Sequence, residues 1–399
     1  MAVKPGYKQT EVGIIPEEWC VRPLLTTVRI ASGQVSPKVE PYKSMVLVAP
    51  DHIESSTGRL LAKQTAEEQR AISGKYVFES GDIVYSKIRP YLRKAILANF
   101  AGLCSADMYP LKPAADVSSG FMFATVLGYR FSKYAESVSV RSGMPKINRT
   151  ELAEFTLGLP PLSEQRAIAT ALSDVDALLG ALERLIAKKR DLKLAAMQQL
   201  LTGQTRLSGF HSEWEVKRLG EICDIAMGRT PARLNKKFWG RGYKWLSIAD
   251  LQGKVVSESK EEITELAAST MEVIPKGTLL MSFKLSIGRL CFAGCDLYTN
   301  EAICSFKNLQ ASGEFLYYAL GRTDFSLYGK QAVKGYTLNK ESLKIVEVDL
   351  PSLPEQNAIA AVLSDMDAEL DTLEQRLAKT RALKQGMMQE LLTGRTRLV

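Results

Sequence analysis

A chain of 399 residues with 46% hydrophobic and 24% charged side chains has the size and composition of two or three globular domains. It has no apolar run near the roughly 20 residues of a membrane span, and its opening MAVKPGYKQTEVG has no signal-peptide core, so the expected location is the cytoplasm. The net charge of +8 permits nucleic-acid binding without establishing it.

Residues 1–158 are the most basic part, with 20 Lys+Arg against 15 Asp+Glu. A short strand is expected at 45–49, just before Asp51. Two stretches follow, GDIVYSKIRPYLRK at 81–94 and RSGMPKINRTEL at 141–152. They gather Ser86, Lys87, Arg89, Tyr91, Arg93 and Lys94, then Arg141, Ser142, Lys146 and Asn148. Arg bonds guanine bidentately, Asn reads adenine, and Lys or hydroxyl groups hold phosphates, which makes these clusters candidate DNA contacts. Any single one is better explained as a solvated basic turn. Only recurrence gives the set weight.

At 159–207 the apolar residues Ile168, Leu172, Val175, Leu179, Leu182 and Ile186 fall at spacings of 4, 3, 4, 3 and 4, a heptad seam. The pattern then meets Lys189 and Lys193 while Leu192, Met197, Leu200 and Leu201 continue an apolar face, which predicts a change of phase there. Leu-Pro upstream keeps the chain extended, Ser163-Glu-Gln opens the helix, and Thr202-Gly203 stops it. About 38 residues at about 1.5 Å each predict a rod of about 57 Å.

Residues 208–349 repeat the scheme with different furniture: a strand at 244–248 before Asp250, then GTLLMSFKLSIGR at 277–289 and VKGYTLNKESL at 333–343. Ser282 aligns with Ser86, and Asn339 with Asn148. The candidate contacts are Arg229, Thr230, Arg233, Asn235, Lys236, Lys237, Trp239 and Arg241. Ser282, Lys284, Ser286 and Arg289 join them, with Lys334, Tyr336, Thr337 and Asn339. At 350–398 the helical element returns, identical to 159–207 at 30 of 49 positions, with its seam at Ile359, Leu363, Met366, Leu370, Leu373 and Leu377. A lone heptad stretch reads as an ordinary bundle helix. Two equal rods with matching seams favour a mutual, antiparallel pair.

The junction repeats too. QTRLSGFHSEWEVKRLGEI at 204–222 matches the chain's own opening, GYKQTEVGIIPEEWCVRPL, with Trp214 against Trp19 and Val216 against Val21. The organisation is therefore cyclic, and pseudo-two-fold symmetry with neighbouring termini follows. The predicted fold class is α+β: two α/β recognition domains (1–158 and 208–349) separated by two long helical spacers (159–207 and 350–399).

Catalytic signatures are missing. There is no nucleotide-binding glycine loop, and the only Pro-Pro lies in LPPLSEQ, outside an adenine-methyltransferase motif. Asp250 with Glu258-Ser-Lys260 has nuclease-like spacing, but such matches arise by chance and the first segment has no counterpart. Cys291, Cys295 and Cys304 hint at a metal site, yet His52 and His211 are the only histidines, so no metal is expected. The remaining cysteines, Cys20, Cys104 and Cys223, suit free, mostly buried thiols.

The GYKQTEVGIIPEEW opening, two LP-x-LxEQ-x-AIA helices ending in LLTG-x-TRL, and two divergent segments between them resemble the specificity (S) subunit of type I restriction-modification systems over essentially the full length. The resemblance implies a non-catalytic DNA-recognition subunit whose two recognition domains each read half of a split, asymmetric site. It implies two modification subunits that bind S-adenosylmethionine and methylate adenine, and two restriction subunits that use ATP and Mg. It also makes the shared LxEQ starts candidates for docking the modification subunits, and the rod length the setter of the spacer. A coiled-coil adaptor without DNA binding, or a self-contained nuclease or methyltransferase, remain the alternatives.

Overall fold

A computed structural model describes the backbone of residues 4–139, 143–284, 286–332 and 335–398, and the side chains of 330–337 fall outside that description. The chain forms two compact units, Met1–Arg184 with Glu374–Val399, and Leu185–Leu373. Each combines one divergent segment with parts of both long helices. No helix among the described residues is long and apolar enough to cross a membrane.

The long helices are α1 (Leu162–Leu200) and α2 (Leu353–Leu391), 39 residues each. Gly203 and Gly394 end them with φ of 68° and 69°, the left-handed conformation glycine adopts without penalty. In the first unit the start of α1 lies against the end of α2, where Asp176 pairs with Lys384 at 2.5 Å and Glu183 with Arg381 at 2.7 Å. In the second unit Lys189 pairs with Glu369 at 2.7 Å and Lys193 with Asp367. As numbers rise on one helix they fall on the other, so the pair is antiparallel. Ile168, Leu172, Leu182, Ile186, Ile359, Leu363 and Leu370 are buried, and Val175, Leu179, Met366, Leu373 and Leu377 are half-buried.

The predicted change of phase does not occur. The spacing continues unbroken through Ile186, Lys189, Lys193, Ala196 and Leu200, all at least half-buried, while Leu192 is 46% exposed. Lysine fits the seam because its alkyl stem covers apolar surface and a carboxylate across the seam neutralises its head. The second copy places Thr380 and Lys384 at the same heptad positions.

Each unit builds its divergent segment on a sheet with four antiparallel strands in the same order, to which the second unit adds a fifth strand running parallel to its neighbour. In the first, β1 (Val28–Ile30), β2 (Ile83–Ser86), β3 (Ala95–Leu97) and β4 (Met108–Pro113) stand in the order β1-β4-β2-β3. In the second, β5 (Asp224–Met227), β6 (Val255–Val256), β7 (Leu279–Ser282), β8 (Leu290–Ala293) and β9 (Ile303–Lys307) give β5-β9-β7-β8-β6. A smaller three-stranded sheet accompanies each. Leu47–Val48 runs parallel to Gly102–Cys104 in one, and Trp239–Leu246 parallel to Tyr298–Thr299 in the other. The helices Ser119–Leu127 and Gly313–Gly321 turn apolar faces (Phe121, Met122; Phe315, Leu316) into cores shared with Ile168 and Ile359.

The cyclic junction is realised in space. Cys20–Pro23 pairs with Thr156–Leu159, as Glu215–Arg218 pairs with Glu347–Leu350. The Tyr7 hydroxyl donates to the carbonyl of Gly394 at 3.0 Å, which brings the two ends of the chain together.

The LxEQ starts are internal, contrary to the expected docking face. Glu164, Gln165, Glu355 and Gln356 are all buried. Gln165 accepts from the Ser118 amide at 2.8 Å and donates to the Pro160 carbonyl at 2.9 Å; Gln356 makes the same pair of bonds to Ser312 and Pro351, both at 2.8 Å. Glu164 holds Arg397 at 2.6 Å and the Trp19 indole N–H at 2.9 Å. Glu355 holds Arg206 through two bonds of 2.6 and 2.7 Å. A buried carboxylate demands such partners, and the TRL tail of each repeat supplies the arginine. The motif fastens each helix start to its own unit.

Candidate nucleic-acid interface

In the first unit two clusters far apart in sequence become one surface. The Arg89 amide donates to the Pro145 carbonyl at 2.8 Å and the Ile147 amide to the Lys87 carbonyl at 2.9 Å, so 87–89 and 145–147 run as a short ribbon. This brings the backbones of the two basic stretches together, with Ile88 directly opposite Lys146. Arg89 and Arg93 both take the left-handed conformation, each with φ of 48°, around the single turn Pro90–Leu92. Such backbone in a non-glycine residue costs about 1–2 kcal/mol, and it throws both arginines out of the strand line. Arg89 and Lys146 are exposed, as is Tyr91 at 53%. Lys94 donates to the Pro50 carbonyl at 2.7 Å, and the Lys87 ammonium lies 5.3 Å from the centre of the Tyr109 ring. The turn borders a cleft of about 360 Å³ that Asp51, Ser105, Asp107 and Met144 also line.

The second unit repeats the frame of this turn. The Ser86 amide donates to the Lys94 carbonyl and that of Ser282 to the Arg289 carbonyl, both at 2.9 Å. Lys87 and Phe283 likewise donate to the carbonyls of Asp107 and Ala302, both at 3.0 Å. Lys284 and Arg289 are exposed on it. The loop 229–241 joins this turn through a residue that the sequence reading missed. The Glu301 carboxylate accepts from the Thr230 hydroxyl, which holds it below the usual carboxylate range, with Lys284 and Arg233 adding to the effect. Arg233 also pairs with Glu261 at 2.6 Å and covers the Trp239 ring at 4.0 Å, while Arg229 donates to the Thr270 carbonyl at 3.4 Å. Lys236, Lys237 and Arg241 are exposed.

Several candidates change role. Ser86 and Ser282 are buried, and their hydroxyls donate to the carbonyls of Ile88 and Ser286 within their own turns. They shape the turn and present nothing to a ligand; Ser286 enters through that backbone carbonyl. Asn148 and Asn339 cap the helices Arg149–Glu154 and Lys340–Lys344, accepting at 2.9 and 2.8 Å, and Asn235 accepts from the Lys237 amide at 3.1 Å. Short polar side chains at helix starts meet orphan amides first. Arg141, Ser142 and Lys334 lie outside the described residues, as do the side chains of Tyr336 and Thr337.

The nuclease-like spacing dissolves. Asp250 accepts from Ser247 at 2.6 Å and from the Lys260 amide at 3.0 Å, while Glu258 pairs with Lys244 at 2.7 Å. Among the described residues no three His, Cys, Asp or Glu side chains are grouped to hold a metal. Burial pushes the thiols of Cys104, Cys223 and Cys291 up to about 12, which keeps them protonated. The arrangement suits binding of a polyanion with bases to read: exposed cations on fixed turns, with carboxylates and aromatic rings between them.

Comparison with known proteins finds relatives over most of the chain. The family model described as the type I restriction modification DNA specificity domain matches residues 51–189 and 211–380. The specificity subunit of the type I restriction enzyme EcoDI of Escherichia coli is 37% identical over 226 residues, 57% of this chain and 49% of that one, so the match spans about half of that relative. The putative MjaX specificity subunit of Methanocaldococcus jannaschii is 25% identical over 98% of this chain and 97% of its own. The HsdS subunit of Thermoanaerobacter tengcongensis shares the fold with a TM-score of 0.53 at 20% identity, covering 96% of this chain and 98% of that one. The type I S subunit from M. genitalium does so at 0.59 and 15%, covering 94% and 96%.

Proposed function

Because this chain belongs to the type I restriction modification DNA specificity family, we propose that it reads a bipartite, asymmetric DNA site, one half with each unit. The observation that supports this reading best is the paired turn after β2 and β7. The backbone bonds that close it match in both units, while its exposed side chains differ: Arg89 and Tyr91 in one, Lys284 and Arg289 in the other. One frame with two sets of contacts is what reading two unlike half-sites requires. Exposed lysines and arginines on both turns supply the phosphate contacts that make such binding strong and salt-dependent.

The chain itself performs no chemistry in this proposal. Two modification subunits carrying S-adenosylmethionine methylate an adenine in each half-site, flipped out of the duplex into their own pockets. Two restriction subunits driven by ATP with Mg complete the nuclease. The test is binding of the full chain, with its modification subunits, to genomic fragments across a salt series. Sequence-selective binding that weakens steeply with salt is expected, with no methylation by the chain alone. Salt-insensitive or absent binding would leave a coiled-coil adaptor, and methylation or cleavage by the chain alone would mean a self-contained enzyme.

A further inference from the structure

Leu234 is 98% exposed, more than any other large hydrophobic residue among those described. It sits in the loop between β5 and the strand Trp239–Leu246, and that loop is rigidly held on both sides of it. Before it, the Arg233 guanidinium lies 4.0 and 4.7 Å from the centres of the Trp239 and Trp245 rings. Ala232 accepts from the Trp239 indole at 3.2 Å and from the Asn235 amide at 3.1 Å. After it, the Thr264 hydroxyl donates to the Lys237 carbonyl at 2.8 Å. Residues 229–242 contain Arg229, Arg233, Lys236, Lys237 and Arg241 and no acidic side chain.

A single exposed leucine is unremarkable on a protein surface. Here the corresponding loop of the first unit presents an aliphatic side chain as well. Val39, 53% exposed, lies between β1 and Leu47–Val48, two residues after Pro37, as Leu234 lies three after Pro231. The two loops leave equivalent strands and enter equivalent small sheets. An aliphatic tip on a basic loop, as at 229–242, has a physical use on duplex DNA. Cations seat the loop on the phosphates while the apolar side chain slips between base pairs, unstacks one step and kinks the helix.

We infer that Leu234 is such a wedge, with Val39 its shallower counterpart. The inference rests on the DNA-reading proposal above and adds to it a preference for steps that open easily, such as TA or CA, at a position no polar side chain reads. Lys38 and Glu40 flank Val39, so its loop lacks the uniform charge of 229–242 and grips less firmly.

The test uses the full chain with its modification subunits and a duplex carrying its methylated site. Leu234→Ala should weaken binding about tenfold or more while leaving its salt dependence unchanged, since no phosphate contact is lost. On a duplex with an abasic position at the opened step, wild type and Leu234→Ala should bind within about twofold of each other, because the unstacking cost is already met. Lys236→Ala should instead lower the salt dependence on both duplexes. If Leu234→Ala binds intact DNA like wild type while Lys236→Ala weakens it, the wedge is wrong and the DNA reading stands. If the abasic duplex fails to close the gap, Leu234 acts elsewhere and the wedge is again wrong. If wild type shows no salt-dependent selectivity, the functional proposal fails and the wedge with it.

Discussion

The two units seat their divergent segments on the same helices by different means. In the second, the Tyr318 hydroxyl, on a ring only 2% exposed, donates to Asp367 at 2.6 Å. Lys193 pairs with the same carboxylate, and Lys254 donates to Tyr318 at 3.1 Å and to Ser364 at 3.2 Å. Ala124 occupies the position of Tyr318 in the first unit, six residues beyond the helix-capping Ser118 as Tyr318 is beyond Ser312. There a cleft of about 540 Å³ remains, lined by Phe123, Leu127, Leu179 and Asp176. The segment is tied across it by Arg59, which pairs with Glu183 at 2.7 Å and Glu54 at 3.0 Å. Hydrogen bonds to a buried charge contribute about 1.5–3 kcal/mol, and exposed ion pairs about 0–1 kcal/mol. A duplicated frame therefore holds one reader through a half-buried network centred on a buried tyrosine, and the other through an exposed arginine beside an open cleft.

The largest effects belong to what the units share. Glu164→Ala and Glu355→Ala should each cost about 3 kcal/mol, since each removes a fully buried carboxylate and leaves its arginine only a more exposed partner, Glu18 for Arg397 and the Ser212 carbonyl for Arg206. Glu164→Ala should cost about 1–3 kcal/mol more, because it also orphans the Trp19 indole. The Trp214 indole has no hydrogen-bond partner to lose among the described residues. Calorimetry showing equal losses would remove that asymmetry. Tyr318→Phe should cost about 1.5–3 kcal/mol and raise amide exchange in Gly313–Gly321, leaving Ser119–Leu127 protected. Loss of protection in both would contradict separate seats.

Arg89→Ala and Lys284→Ala should each weaken methylation about tenfold, and only at the half-site of their own unit, by single-turnover assay on methylated-strand reporters. An equal loss at both half-sites would contradict one reader per unit. Smallest is Glu183→Gln, at most about 1 kcal/mol and absent at high salt. The Arg381 hydrogen bond, with Arg59 beside it, holds the Glu183 carboxyl below its ordinary value of 4.5. Its contribution is therefore complete above that value and fades as pH falls through the lowered one. A thermal shift for Glu183→Gln that does not diminish at all as pH falls below 4.5 would argue against this origin.

The frame was legible in the sequence because its physics is periodic or local. The seam follows from spacing, the helix ends from Leu-Pro and Thr-Gly, and the pairing of the chain's ends from the Trp19 and Trp214 repeats. What stayed hidden depends on contacts between distant residues. A lysine in a heptad looks like a break until Asp367 is seen opposite Lys193. Glu164 and Gln165 look like surface recognition groups until Arg397, more than 230 residues away, arrives to neutralise the carboxylate. Basic clusters are the sequence signal of such an interface, and Glu301 and Asp107, being acidic, carry none of it. Ser86 was misread because a hydroxyl near basic residues looks alike whether it faces a phosphate or its own turn.

The claim that each unit reads its own half of the site is tested most directly by exchange. Residues 25–158 are replaced by those of a relative with a different known target, and the host methylome is sequenced with long reads. The expected result is a new motif in one half, with the other half and the spacer unchanged. A motif altered in both halves would contradict the account, as would one altered in neither.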